Sequence, residues 1–253
     1  MSPLRLRGRE RLKKAKPYVK DTKPCAGHSC VHWGNRAGGK LILAVHGYFS
    51  HKEDQCIEIL ASEAVKAGYS ILIFDLPAHG ERRHLESECH VAQAVDDIKI
   101  MLAYAQKRFS ATALFACSIG ASFSMIAAQK IKISQALFLS PVIDLDSLIR
   151  KMMVKADVDE TRLNREKVII ASDGTVFRAD YLAYLQQHRF SGENLPLNIM
   201  VGSQDQIADF SAVVTFAHRH KAVLTTVQGA EHNFHHPREH QALRAWVQRI
   251  LHK

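Results

Sequence analysis

The stretch Ala116-Cys117-Ser118-Ile119-Gly120 constrains this chain more than any other five residues. Before it, Ala111-Thr112-Ala113-Leu114-Phe115 is a short apolar run bounded by Ser110, suited to a buried strand. After it, residues 121–128 suit a packed helix. A serine between small residues at a strand-to-helix turn has the layout of a nucleophile elbow. So tight a turn crowds the residues two before and two after the serine, and Ala116 and Gly120 meet that demand. The Ser118 hydroxyl is then held up and exposed. The following helix aims its first N–H groups, and the positive end of its dipole, where an oxyanion would form. The plainer reading is a turn serine capping a helix. Cys117 is a rival nucleophile, but an elbow centred there needs small residues at 115 and 119. Phe115 and Ile119 occupy those positions, so Cys117 reads as a packed thiol.

A serine nucleophile needs a base, and the base needs an acid to orient it. On a strand–turn–helix scaffold they follow in the order Ser, acid, His. Leu197 to Val201 reads as a strand ending in Gly202-Ser203-Gln204-Asp205, which puts Asp205 in a loop beyond a strand end. Ala222 to Val227 reads as a further strand leading into Gly229-Ala230-Glu231-His232-Asn233-Phe234, with His232 ahead of a terminal helix. The expected roles are Ser118 attacking a carbonyl, His232 taking its proton, and Asp205 holding the imidazole tautomer. Asp144, after the strand that follows the elbow, is the competing acid. His235 and His236 compete with His232 but fall at the start of the last helix, where capping or solvation suffices. Upstream, Leu41 to Val45 reads as a strand followed by His46-Gly47-Tyr48-Phe49. The oxyanion is expected against the N–H groups of Tyr48 and Ile119. His46 reads as a brace for its loop, and His79 likewise.

These segments together resemble the α/β-hydrolase superfamily. The resemblance rests on His46-Gly47-Tyr48, Asp75-Leu76-Pro77-Ala78-His79-Gly80, the elbow, Gly202-Ser203-Gln204-Asp205, Glu231-His232-Asn233-Phe234 and Leu139 to Asp144. It spans roughly residues 35–253 and is nearest to small bacterial carboxylesterases, cinnamoyl-type esterases, and monoacylglycerol-lipase-like or serine-aminopeptidase-like hydrolases. Ala116 stands where the first elbow glycine is usual, and Ala78 where a loop glycine is usual. The resemblance implies an α/β-hydrolase fold: a mainly parallel central sheet, helices on both faces and a small lid insertion. It also implies a serine hydrolase of small or medium acyl esters that works without a cofactor. A peptidase or thioesterase with the same three residues, or a non-catalytic binding protein on this fold, are the alternatives.

Strand-like and helix-like segments alternate along most of the chain, as a parallel sheet covered on both faces requires. Helices are expected over 52–67 and 91–109, a strand over 71–75, and a final helix opened by Pro237. Residues 145–192 break the alternation and are read as the lid, with a hairpin around Asp173-Gly174 and a helix from Tyr181 to His188. Phe49, Met152, Met153, Phe177 and Tyr181 are candidates to line an acyl pocket, with Tyr184 a further one. The alternative is that they pack the lid onto the sheet.

The net charge of +9 is concentrated in a basic leader over residues 1–20, where eight Lys or Arg face only Glu10. The hydrolase domain is expected over 21–253. The leader reads as a solvated tail or charged edge strand, with contact to nucleic acid or an anionic surface as the alternative. No apolar run follows it and no segment is long enough to span a membrane. The five cysteines, Cys25, Cys30, Cys56, Cys89 and Cys117, are odd in number and scattered. Free thiols in a reducing, cytoplasmic setting are therefore expected. Cys25, His28, Cys30 and His32 crowd too tightly for the two separated pairs of a zinc site, and neither they nor His232, His235, His236 and His240 are expected to hold a metal.

Overall fold

The computed structural model describes residues 20–83, 90–190 and 195–252. All of the basic leader except Lys20, Cys89, and the last two residues of the expected insertion lie outside them. The chain opens with β1 (Lys20–Cys25) and β2 (His28–Trp33), then alternates through β3 (Lys40–Val45), α1 (Gln55–Lys66), β4 (Tyr69–Phe74), α2 (Val91–Arg108), β5 (Ala111–Cys117), α3 (Ile119–Ala128) and β6 (Ala136–Leu139). An insert follows: α4 (Leu145–Lys155), α5 (Glu160–Glu166), β7 (Val168–Ile170), β8 (Val176–Arg178) and α6 (Ala179–Gln187). The alternation resumes with β9 (Leu197–Gly202), α7 (Phe210–Arg219), β10 (Val223–Val227) and α8 (Pro237–Leu251).

Eight strands form one sheet in the order β1-β2-β4-β3-β5-β6-β9-β10. From β4 to β10 every neighbour pair is parallel, and β2 is antiparallel to both β1 and β4. The central strands are apolar almost throughout because both faces are covered. The pleat then divides each strand between two cores. Leu41, Leu43 and Val45 of β3 face the layer of α2 and α3, whereas Ile42 and Ala44 face the layer of α1 and α8. The insert carries a small core of its own, built from Met153, Val158, Leu163, Ile169, Phe177 and Leu182. Among the described residues no helix is long and apolar enough to cross a membrane.

Two local differences from the sequence expectation have physical causes. The first helix begins at Gln55, not at residue 52, with Asp54 as its cap. Lys52 is withheld because its N–H (2.8 Å) and its Nζ (2.6 Å) both bond the Asp75 carboxylate. The crowded Cys25-to-His32 segment is a hairpin turning through Ala26 and Gly27, which take φ of 50° and 90°. Such positive values match the twist of a two-residue hairpin. Cys25, Cys30, Cys56 and Cys117 are free thiols.

Glu63 links α1 to α8. Its side chain is 1 % exposed and accepts from Lys66 Nζ (2.9 Å), Gln248 Nε2 (2.8 Å) and Arg244. Burial alone would raise this carboxyl, but the bonds from Gln248, Lys66 and Arg244 outweigh it and hold the group down at about 2. Glu63→Ala is expected to lower stability by roughly 2 kcal/mol in urea titrations at neutral pH. A depressed folded-state pKa stabilises above the carboxyl's unfolded value. The parent's advantage over the variant should therefore shrink as pH falls from about 4.5 towards 2. An advantage independent of pH in that window would contradict the charge-based account.

Candidate active site

Ser118 sits between β5 and α3 with φ 53° and ψ −124°, a conformation costly to any residue but glycine. The turn is pinned on both sides. The Ser118 N–H donates to the Leu139 carbonyl (3.1 Å), and its own carbonyl accepts from Ala121 (3.1 Å) and Val142 (3.2 Å). A Cβ at Gly120 would stand 2.2 Å from the His46 carbonyl oxygen and 3.1 Å from Val45 Cγ1. The demand for a small residue at 120 thus comes from the end of β3, not from residue 116. A Cβ at Gly47 would stand 3.0 Å from Ser118 Cβ, so the backbone leaving β3 passes directly against the serine.

The structure brings Ser118, Asp205 and His232 together. His232 Nε2 lies 2.8 Å from Ser118 Oγ, and its Nδ1 lies 2.8 and 2.9 Å from the two Asp205 oxygens. The Asp205 carboxylate also accepts N–H bonds from Ile207 (2.9 Å) and Ala208 (2.8 Å), and its side chain is fully buried. An ionised acceptor at Nδ1 requires the proton there. Nε2 is left with a lone pair aimed at the serine hydroxyl.

The loops that carry these groups are packed without slack. A Cβ at Gly202 would meet the Ala230 carbonyl oxygen at 2.2 Å, and Gln204 N–H donates to that same carbonyl (2.9 Å). The buried Glu239 carboxylate brackets the histidine loop, accepting from Glu231 N–H (3.3 Å) and His236 N–H (2.9 Å). Sequence reasoning missed this residue, although an acid three positions after a helix cap is a readable signal.

His46 and His79 touch backbone. His46 Nδ1 donates to the Gly47 carbonyl (2.8 Å) and Nε2 accepts from Leu76 N–H (3.0 Å), while burial pushes its pKa down to about 4. His79 Nδ1 lies 2.7 Å from the Pro77 carbonyl, and burial lowers this imidazole as well. Burial would raise the Asp75 carboxyl, but bonds from Lys52 and from Glu81 N–H keep it below its ordinary value. Gly80 has no room for a Cβ, which would come within 2.3 Å of that carboxyl. Ala78 adopts φ 62°, the left-handed value a glycine would take freely.

The competing residues are engaged elsewhere. Asp144 caps α4, accepting from Ser147 N–H (2.9 Å). Burial drives the Cys117 thiol well above its usual range. Tyr48 is half-exposed, and Phe49, with φ 57°, is 90 % exposed with its ring 4.1 Å from that of Tyr48. Ile119 is the first residue of α3.

The pocket candidates in the insert need correction. Met153 and Phe177 are buried in the insert's own core and Met152 packs against it, because the insert is large enough to hide its apolar side chains internally. Tyr181 packs half-buried against the core beneath α2. A small cleft of about 70 Å³ lies between α4 and α7, bordered by Val142, Ile143, Asp144, Leu148 and Asp209. It adjoins the elbow through the Val142-to-Ser118 bond.

No family model matches the chain. No curated protein matches it either. Solved structures do. Est1E from Butyrivibrio proteoclasticus, with ferulic acid bound, is 20 % identical, with a TM-score of 0.76 over 91 % of this chain and 97 % of that one. The mouse alpha/beta hydrolase domain-containing protein 10 is 13 % identical, with a TM-score of 0.71 over 92 % and 98 % of the two chains. An esterase from Pyrococcus furiosus is 18 % identical, with a TM-score of 0.62 over 98 % and 99 %. The chain has the α/β-hydrolase fold.

The strained φ of Ser118 can be tested directly. Ser118→Gly is expected to be about 1 kcal/mol more stable than Ser118→Ala, as strain relief exceeds glycine's extra unfolded-state entropy. Urea midpoints measure the difference, and equal midpoints would mean that the turn stores no strain.

Proposed function

We propose that the protein is a serine hydrolase that cleaves carboxylic esters of small to medium acyl groups through an acyl-enzyme. The observation that carries this reading is the continuous bonded path from Asp205 through His232 to Ser118, closed at a strained strand-to-helix turn. Two of the similar structures are those of esterases, which supports esters as the substrate class.

In this mechanism the Ser118 oxygen attacks the acyl carbonyl as His232 Nε2 takes the hydroxyl proton. Asp205 holds the ring in the required tautomer and stabilises the imidazolium. The carbonyl electron pair moves onto oxygen, which faces the N–H groups of Tyr48 and Ile119 at the positive end of α3. Collapse of the tetrahedral species breaks the bond to the alcohol, which leaves with the proton from His232. Water then repeats the sequence on the acyl-serine, with His232 as base, and releases the acid. The chemistry needs only these side chains and water.

p-Nitrophenyl esters of increasing acyl length test the reading. Activity should peak at one length and fall by about 10³-fold or more in Ser118→Ala, with Ser118→Ala/His232→Ala no worse than the single variant, since the residues act as a unit. Asp205→Asn should lower kcat by up to about 10⁴-fold while changing KM little. A fluorophosphonate probe should label the parent and not Ser118→Ala. Ester hydrolysis that survives in Ser118→Ala would refute the proposal.

A further inference from the structure

The two ends of the parallel sheet carry opposite charge. The loops leaving the strands at the Ser118 end hold Glu53, Asp54, Asp144, Asp205, Asp209 and Glu231. The described residues of the loops entering the strands at the far end, 34–39, 67–68, 109–110, 129–135, 188–190, 195–196 and 220–222, contain no Asp or Glu. That end presents Lys107, Lys130, Lys132, Arg189, Arg219 and Lys221, all exposed. No ion pair holds any of the six among the described residues, whereas Lys66 at the same end is paired with Glu63.

Helix dipoles explain part of this set. Lys107 and Arg219 lie in the last turns of α2 and α7, where a cation offsets exposed carbonyls. Lys130, Lys132, Arg189 and Lys221 lie beyond the helices and have no such partner. The six lie at the entries of four adjacent strands, β5, β6, β9 and β10, so at about 4.8 Å spacing they form a row of roughly 14 Å. The length of β5 keeps the row about 20 Å from Ser118.

We propose that this end of the molecule binds the phosphate backbone of duplex nucleic acid without reading its sequence. Unpaired cations at strand-entry loops that hold no carboxylate of their own gain most from a partner that carries phosphates at regular close spacing. Single strands are disfavoured because the described residues of the face include no exposed Phe, Tyr or Trp ring on which unpaired bases would stack. A bilayer is disfavoured because, among the described residues, Val223 is the one exposed large apolar side chain there, too little to enter a headgroup layer. The carboxylates at the other end repel the same polyanion and orient it away from Ser118. The interaction is independent of the hydrolase reading.

The test is fluorescence anisotropy of the full chain with a labelled random-sequence DNA duplex of about 20 base pairs. If the six cations each meet a phosphate, affinity should fall roughly a thousandfold between about 50 and 200 mM KCl. The exposed-site variant Lys107→Glu/Lys130→Glu/Lys132→Glu should abolish binding at 50 mM salt, and Arg189→Glu/Lys221→Glu should weaken it at least tenfold. Both should keep the parent's circular dichroism and ester hydrolysis. Ser118→Ala should bind as the parent does. Absence of duplex binding at 50 mM salt would overturn the proposal. So would affinity unchanged in both charge-reversal variants, or binding confined to vesicles of about 30 % phosphatidylserine.

Discussion

The approach of the β3 exit to the Ser118 turn is the contact on which the candidate site depends. The His46 carbonyl oxygen lies where a side chain at Gly120 would begin, and Gly47 presses against Ser118 itself. Two strands adjacent in the sheet, β3 and β5, thus end with their loops in mutual contact. In the proposed mechanism this contact brings the first N–H groups of α3 and the Gly47-Tyr48 backbone to the same side of the serine oxygen. A methyl group at either glycine would push the two loops apart and separate the groups that the chemistry requires close together.

The remaining parts are held to this frame by buried polar bonds as well as by apolar packing of Leu76, Ala208, Ala230 and Phe234. The Asp75 carboxylate gathers Lys52 and Glu81 N–H and so ties the β3–α1 loop to the β4 loop, while His46 spans the same two loops through Leu76. Glu239 does comparable work for the histidine loop, and the Gln204-to-Ala230 bond joins that loop to the one carrying Asp205. Each unsatisfied member would leave a buried charge or N–H without a partner, a loss of roughly 1–3 kcal/mol. The cost of misplacing any loop is what keeps the three side chains within hydrogen-bonding reach.

Much of this was legible in the residues. The apolar runs of β3, β5 and β9 and the small-residue turn around Ser118 are local signals, and local signals survive without coordinates. The order serine, acid, histidine rests on strand ends that the same signals mark. What escaped was set by contacts distant in sequence. Gly120 was read as making room for residue 116, whereas its neighbour is His46, which only the parallel pairing of β3 with β5 brings there. Met153 and Phe177 were candidates for a pocket, but an apolar side chain in an insert packs equally well inward, and they do so. The β1–β2 hairpin escaped because the crowded cysteines and histidines, which do not read as a metal site, show no apolar run to mark paired strands. The charge division between the sheet ends was invisible because cations separated by tens of residues converge only when the strands align.

The central claim is that Ser118 becomes acylated during turnover, and rapid-quench mass spectrometry with a p-nitrophenyl ester tests it most directly. The proposed mechanism predicts a burst approaching one equivalent of p-nitrophenol per chain, together with an acyl adduct on the peptide that contains Ser118. An adduct on Cys117, or steady turnover with no adduct on any residue, would contradict it.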